Sequence, residues 1–212
     1  MDSQERSLRL EIIKVCRKLE SKGLIAASDG NVSCRAGEEC ILITPSGVLK
    51  GDMEPEEIAK TSMLGELLEG PIRPSNEIRM HLHVYRKRPD VFAVVHAHPP
   101  VATAATLAGF PLNSKVLPEA WVMLGKVPVA PYATPSTDEV SNSIDPFLLE
   151  SRAILLRRHG ALTFGASPME AFMRMEKLEH FAKVLFYASM LEDRKAPVTL
   201  MESEIAKLDA IF

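Results

Sequence analysis

The longest apolar run of the chain, Ala93 to Leu112, is interrupted by His96, His98, Pro99, Pro100 and Pro111. Imidazole rings and missing backbone amides are costly in lipid, so this run is a poor membrane-spanning helix. It reads instead as a nearly continuous apolar strand, Val91 to Ala97, stopped by two prolines and followed by a helix. A strand of that kind is buried in a sheet, and the rest of the chain must supply the layers that cover it.

There is enough chain to do so. With 212 residues, 46% hydrophobic and 25% charged, the composition is globular, and the length falls below the roughly 250 residues at which chains divide. One domain over residues 1–212 is expected, burying about 70% of its extended surface. Lys+Arg 25 against Asp+Glu 28 gives a net charge of −3, which argues against a nucleic-acid partner. Asp2, Glu5, Arg6 and Arg9 leave no apolar signal core after the first methionine, so a cytoplasmic protein without membrane contact is expected. Cys16, Cys34 and Cys40 are odd in number and lack CxxC spacing, and they read as reduced structural thiols.

Leu8, Ile12, Val15, Cys16 and Leu19 recur at helical spacing from Ser3 to Lys22, with Gly23 as terminator. Asn31 to Arg35 with Cys40 to Thr44, and Ile58 to Met63 with Glu66 to Glu69, predict two hairpins. A helix is predicted over Ser75 to Arg88, and strands over Val127 to Ala130, Arg152 to Arg157 and Ala161 to Gly165. Pro146 must kink or divide a helix around Thr137 to Glu150. Ser167, Pro168 and Glu170 form a capping-box pattern opening a long helix toward Leu191, and a short helix spans Glu202 to Ile211. The intermixed order predicts helices on both faces of one mixed sheet.

Histidine spacing carries the chemistry. Residues two apart on a strand face the same side, whereas two apart on a helix they lie about 200° around the axis. His96 and His98 can therefore grip one ion together. His81 and His83, in a helical segment, read as residues of the surface or behind a site, and His180 likewise. His159 precedes Gly160 at a strand end, where a loop can aim its ring into a neighbouring site. Pro74, Ser75, Asn76 and Glu77 form a helix start whose free amides and dipole suit an anion, with Glu77 projecting from the same turn. Loops at Asp29-Gly30-Asn31 and Thr44-Pro45-Ser46-Gly47 offer further backbone donors. The Walker pattern, GxGxxG and GxSxG are absent.

Read together, Gly30-Asn31-Val32-Ser33, Leu42 through Gly47, Pro74 through Glu77, Ala93 through His98, Ala130 through Thr134 and His159-Gly160 resemble the class II aldolase/adducin family. The likeness runs from the first helix through the last long one. It implies an α/β fold of three layers, αβα, around a single mixed, largely antiparallel sheet. It also implies one zinc ion per subunit on His96, His98 and His159, with Glu77 as resting fourth ligand and catalytic base. Gly30, Asn31, Ser46, Gly47, Ser75 and Asn76 fall on the family's phosphate-binding positions, Asn76 replacing a serine common in aldolases.

The activity so implied is reversible cleavage of a fuculose-1-phosphate-like ketose 1-phosphate into dihydroxyacetone phosphate and an aldehyde, through a metal-stabilised enediolate. A homotetramer with active sites between subunits is implied as well. Leu117 stands where the aldolases carry a proton-donating tyrosine from a neighbouring subunit. Glu119, close by, matches the acid/base glutamate of the dehydratase branch. The alternatives within the family are an epimerase, dehydratase or decarboxylase on a related sugar phosphate, and a non-catalytic adducin-like interaction module, which metal content would distinguish.

Overall fold

The computed structural model describes residues 2–191 and 198–212. Among the described residues, helices α1 (Ser3–Ser21), α2 (Ile78–Lys87), α3 (Pro100–Ala108), α4 (Pro118–Leu124), α5 (Asp138–Ile144), α6 (Pro168–Leu191) and α7 (Glu202–Ile211) alternate irregularly with eight strands. These are β1 (Asn31–Arg35), β2 (Cys40–Ile43), β3 (Ala59–Ser62), β4 (Leu67–Glu69), β5 (Ala93–Ala97), β6 (Val129–Ala130), β7 (Ala153–Leu156) and β8 (Gly160–Gly165). They form one sheet in the order β4-β3-β2-β1-β5-β8-β7-β6. Every pairing is antiparallel except β6 with β7. The mixed, helix-flanked architecture is the one expected.

The period of two along each strand sorts side chains into two cores. Val32, Cys34, Ala93, Val95 and Ala97 join Ile12, Phe172, Leu178 and Phe181 of α1 and α6 on one face. Ile41, Ile43, Val94, Leu162 and Phe164 join Leu82, Tyr85, Val140 and Ile144 of α2 and α5 on the other. The central strand β5 is buried at all five positions, as its apolar residues around His96 lead one to expect. Cys16 and Cys34 are buried free thiols whose burial pushes them up to about 12, so both are inert packing groups at neutral pH.

Two expectations are corrected. The helix predicted from Ser75 begins only at Ile78, with Glu77 at its N-cap. Pro74 bridges to Pro45, and the Ser75 amide donates to the Thr44 carbonyl at 3.1 Å. This pairing holds the backbone extended through Ser75, and the helical turn can start only beyond it. The strand expected over Val127 to Ala130 shrinks to two residues, and α4 was not foreseen although Pro118 occupies a favoured first helical position. Pro146 does divide its segment, into α5 and a 3-10 turn at Asp145–Phe147.

Candidate functional site

Strand register brings the first residues together. Asn31 of β1 and His96 of β5 are paired partners, so their side chains stand side by side on the sheet face that carries α2. His98 lies one step past β5, where its amide donates to the Leu24 carbonyl at 2.9 Å. Beyond it, the opening amides of α3 at Val101 and Ala102 each donate to the buried Glu179 carboxylate at 3.0 Å, which fixes the start of that helix against α6. His159 comes from the turn between β7 and β8, where Arg158 takes a left-handed φ of 62°. A Cβ on Gly160 would collide with the Ala97 carbonyl and sit 2.7 Å from His98 Cδ2, so only glycine lets that turn close on His98.

The ligating nitrogens of His96, His98 and His159 lie within 4.8 Å of one another. His96 Nε2 is 3.1 Å from His98 Nε2 and 3.1 Å from Glu77 Oε2, and His159 Nε2 is 3.4 Å from Glu77 Oε1. Around a tetrahedral ion with bonds of about 2.0–2.1 Å, ligand atoms stand roughly 3.3 Å apart, close to these three separations. His96 Nδ1 donates to the Ala161 carbonyl at 3.0 Å, so its Nε2 turns a lone pair toward a second imidazole nitrogen and a carboxylate oxygen. Glu77 Oε1 is buried without a hydrogen-bond partner. An arrangement of lone pairs and an orphaned anion converging on one point requires positive charge between them, and a divalent cation fits these donors.

Without an ion, the electrostatics divide the three rings. Burial pushes His159 down to about 4, aided by the charge of His96, which keeps the ring neutral and able to ligate at pH 7. His98 is lowered for the same two reasons. Burial works to raise the Glu77 carboxyl, yet His96, the Asn31 amide and His159 hold it well below the usual carboxylate range. His96 goes the other way: burial opposes its charge, but the Glu77 carboxylate and the Ala161 carbonyl outweigh burial and raise it, so without an ion this ring is the one that favours a proton.

Gly30, Asn31, Ser46, Gly47, Ser75, Asn76, Glu77, His98 and His159 line one cavity of about 590 Å³. The Ser46 amide donates to the Arg73 carbonyl at 3.1 Å, binding the Ser46-Gly47 loop to the segment that carries Ser75 and Asn76. Of the candidate residues, Glu119 is not brought here. It is exposed on the first turn of α4, and Leu117 packs on the core of the other sheet face. Trp121 donates its indole N–H to Asp209 at 2.8 Å and serves to seat α7.

Residues 10–186 match the family model described as Class II Aldolase and Adducin N-terminal domain. The chain belongs to this family. It is 34% identical to 3-oxo-tetronate 4-phosphate decarboxylase of Escherichia coli, over 96% of each chain. It is 32% identical to L-fuculose phosphate aldolase of Methanococcus vannielii, over 82% of this chain and 93% of that one. The crystal structure of YgbL from Escherichia coli superposes with a TM-score of 0.88 at 32% identity, covering 97% of this chain and 99% of that one. Class II aldolases are metal-dependent and act on phosphorylated sugars, and the three-histidine group of this member can hold such an ion.

Two residues lining this cavity, Lys50 and Arg73, were not singled out from sequence, and Asp29 and His81 take places that the sequence did not give them. Lys50 is buried at the cavity wall, its Nζ donating to the Ser28 and Val48 carbonyls at 2.9 Å each, and Arg73 lines the same cavity. Asp29 Oδ2 lies 3.3 Å from His98 Nδ1 and orients that ring. His81, read as a residue of the surface or behind a site, is fully buried and hydrogen-bonded to both Asn31 and Ser33. His83 instead meets Asp145 at 2.7 Å, and His180 is exposed.

Burial, reinforced by His96, pushes His81 down to about 3. The unfolded ring titrates near 6.5, so below that pH the unfolded chain binds a proton that the folded chain refuses. Stability from this site is complete above about pH 6.5 and falls with acid by up to about 1.4 kcal/mol per pH unit. In chelator-treated protein unfolded by urea at pH 7, 6 and 5, His81→Gln is expected to lose stability less steeply than the parent. Parallel slopes would contradict the assignment.

Proposed function

We propose that the protein is a zinc-dependent carbon–carbon lyase that decarboxylates a phosphorylated 3-oxo sugar acid to a ketose phosphate. The observation that carries the lyase reading is Glu77, one oxygen held by Asn31 at 3.0 Å and the other unpartnered, set between three imidazoles and a polar cavity of about 590 Å³, large enough for a small sugar phosphate. His96, His98 and His159 would hold the ion, with Glu77 as its resting fourth ligand. When bound, the ion supplies Lewis-acid charge for the negative charge that develops on the substrate oxygens.

The chain's own residues do the rest. Ser46, Gly47, Ser75, Asn76, Gly30 and Asn31 receive the phosphate, with Lys50 and Arg73 adding positive charge to the same wall. Pinning the phosphate spends remote binding energy on orienting the ketone one carbon away. In decarboxylation, the electron pair of the bond to the carboxylate moves toward the ketone oxygen and carbon dioxide leaves. A proton taken from solvent then returns to carbon, carried by Glu77. The fragment lost needs no proton of its own, which suits a chain with Leu117 where the aldolases place a tyrosine. Similarity over nearly the whole length to 3-oxo-tetronate 4-phosphate decarboxylase supports the same choice.

The second reading is aldol cleavage of a ketose 1-phosphate. It is favoured by similarity to L-fuculose phosphate aldolase and by the shared placement of phosphate one carbon from the ketone. We carry the homotetramer into either reading. Glu119 is exposed and outside the cavity lining, as a residue serving a second copy would be, and α6 presents Met173, Phe186, Tyr187 and Met190 to the outside. Among the described residues no helix is long and apolar enough to cross a membrane, which accords with a cytoplasmic enzyme.

Zinc-loaded protein incubated with 3-oxo sugar acid 4-phosphates and with ketose 1-phosphates separates the readings. Dihydroxyacetone phosphate and carbon dioxide from the acids are expected. Dihydroxyacetone phosphate from the ketose phosphates alone would replace decarboxylation by aldol cleavage, and no product from either set would overturn the lyase.

A further inference from the structure

Behind the site, on the sheet face covered by α2, a line of buried polar groups runs through Tyr85, Ser33 and His81, none of them given to the metal or the phosphate, and ends on Asn31 and Glu77 of the site. Tyr85 Oη lies 2.7 Å from Ser33 Oγ, Ser33 Oγ lies 2.6 Å from His81 Nδ1, and His81 Nε2 lies 2.5 Å from Asn31 Oδ1. Asn31 Nδ2 then donates to Glu77 Oε2 at 3.0 Å. Ser33 and His81 are wholly buried, and Tyr85 and Asn31 are nearly so.

One end of this line fixes every hydrogen in it. The ionised Glu77 carboxylate only accepts, so Asn31 must turn its amide nitrogen toward it and its carbonyl toward His81. That carbonyl also only accepts, and the neutral His81 ring must carry its hydrogen on Nε2. Nδ1 is then the acceptor of the Ser33 hydroxyl, and Ser33 in turn accepts from Tyr85. Four donors point the same way, each polarising the next, and all of them end on one oxygen of Glu77. The other oxygen, Oε1, is left without a partner beside His159.

We propose that His81, as the Nε2–H tautomer, is a positioning residue that locks the Asn31 amide and through it commits Glu77 Oε2 to the protein, leaving Oε1 as the atom that moves the proton. The inference rests on the reading of Glu77 as proton carrier. It assigns to the buried helix α2 a part in catalysis that contact with substrate would not reveal.

Two measurements test it. In uniformly ¹⁵N-labelled protein, long-range imidazole correlations are expected to show His81 neutral with its hydrogen on Nε2 at pH 7. An Nδ1–H tautomer or a charged ring would overturn the proposal. In zinc-loaded enzyme, His81→Leu is expected to lower kcat about 10–100-fold while zinc stoichiometry is unchanged and KM moves by less than about threefold. His81→Gln, whose side-chain amide can still donate to Asn31, is expected to recover most of that loss. Equal loss in both variants, or none in His81→Leu, would reduce His81 to packing and defeat the proposal. Should His81→Leu fail to fold, the tautomer of the unmodified protein decides alone. If unmodified protein turns over no substrate of the panel, the lyase reading falls, and the tautomer measurement still judges the hydrogen-bond line by itself.

Discussion

Glu77→Gln is expected to lower turnover about 100-fold or more while leaving the fold intact. Glutamine has the same shape, so its carbonyl oxygen can still accept from Asn31 while its amide faces the His159 lone pair where the unpartnered oxygen now sits. What disappears is the negative charge among three imidazoles and the group able to carry a proton. Because Glu77 also faces the metal position, the assay belongs at saturating zinc, with bound metal counted by mass spectrometry. Glu77→Asp serves as a control. It keeps the charge but withdraws it by one methylene, and a displacement of about 1 Å can cost 100-fold when geometry controls the rate. Wild-type turnover in Glu77→Gln would remove the residue from the mechanism.

The second large effect is on metal. The unmodified protein is expected to hold one divalent ion per chain, and at free metal about 1,000 times Kd this adds about 4 kcal/mol to its stability, all of it removed by a chelator. His159→Ala is the informative variant, since its ring projects from a turn and its loss leaves the sheet alone, whereas His96 is wholly buried and bonded to Ala161. Metal content in His159→Ala is expected to fall well below one per chain. Turnover should drop about 1,000-fold, the equivalent of losing about 4 kcal/mol of Lewis-acid stabilisation. Calorimetry with and without chelator should then give the same melting temperature for the variant and different ones for the parent. A His159→Ala protein that kept stoichiometric zinc would show that the three-histidine group is not the site.

The pairing of His96 with His98 in one cluster was legible because its spacing is local. His96 on β5 and His98 one step past its end keep the period of two, and no tertiary knowledge is needed to place them together. His159 was approachable for a related reason, since a histidine before glycine at a strand end has to leave the sheet. The start of α2 was not legible. Ser75 carries an N-cap signature, but a backbone pairing to Thr44, thirty-one residues earlier in the chain, outweighs a capping propensity worth about 1 kcal/mol.

His81 shows where local reading ends. Glu77, His81 and Tyr85 recur every four residues on α2, a step of about 6.0 Å, and Asn31 and Ser33 recur every two on β1, a step of about 6.6 Å. The two polar rows therefore match in pitch, and each was visible in the chain. The sequence by itself determined the strand order of chemical groups, the pair of histidines able to share an ion, and the apolar periodicities that require a sheet covered on both faces. Only the tertiary structure decided that the α2 row lies on the β1 row, that the loops at Ser46 and Ser75 close one cavity, and that Glu119 stands outside it. Those outcomes depend on which helix covers which face of the sheet, and that is settled by the summed burial of two whole cores rather than by any residue's own preference.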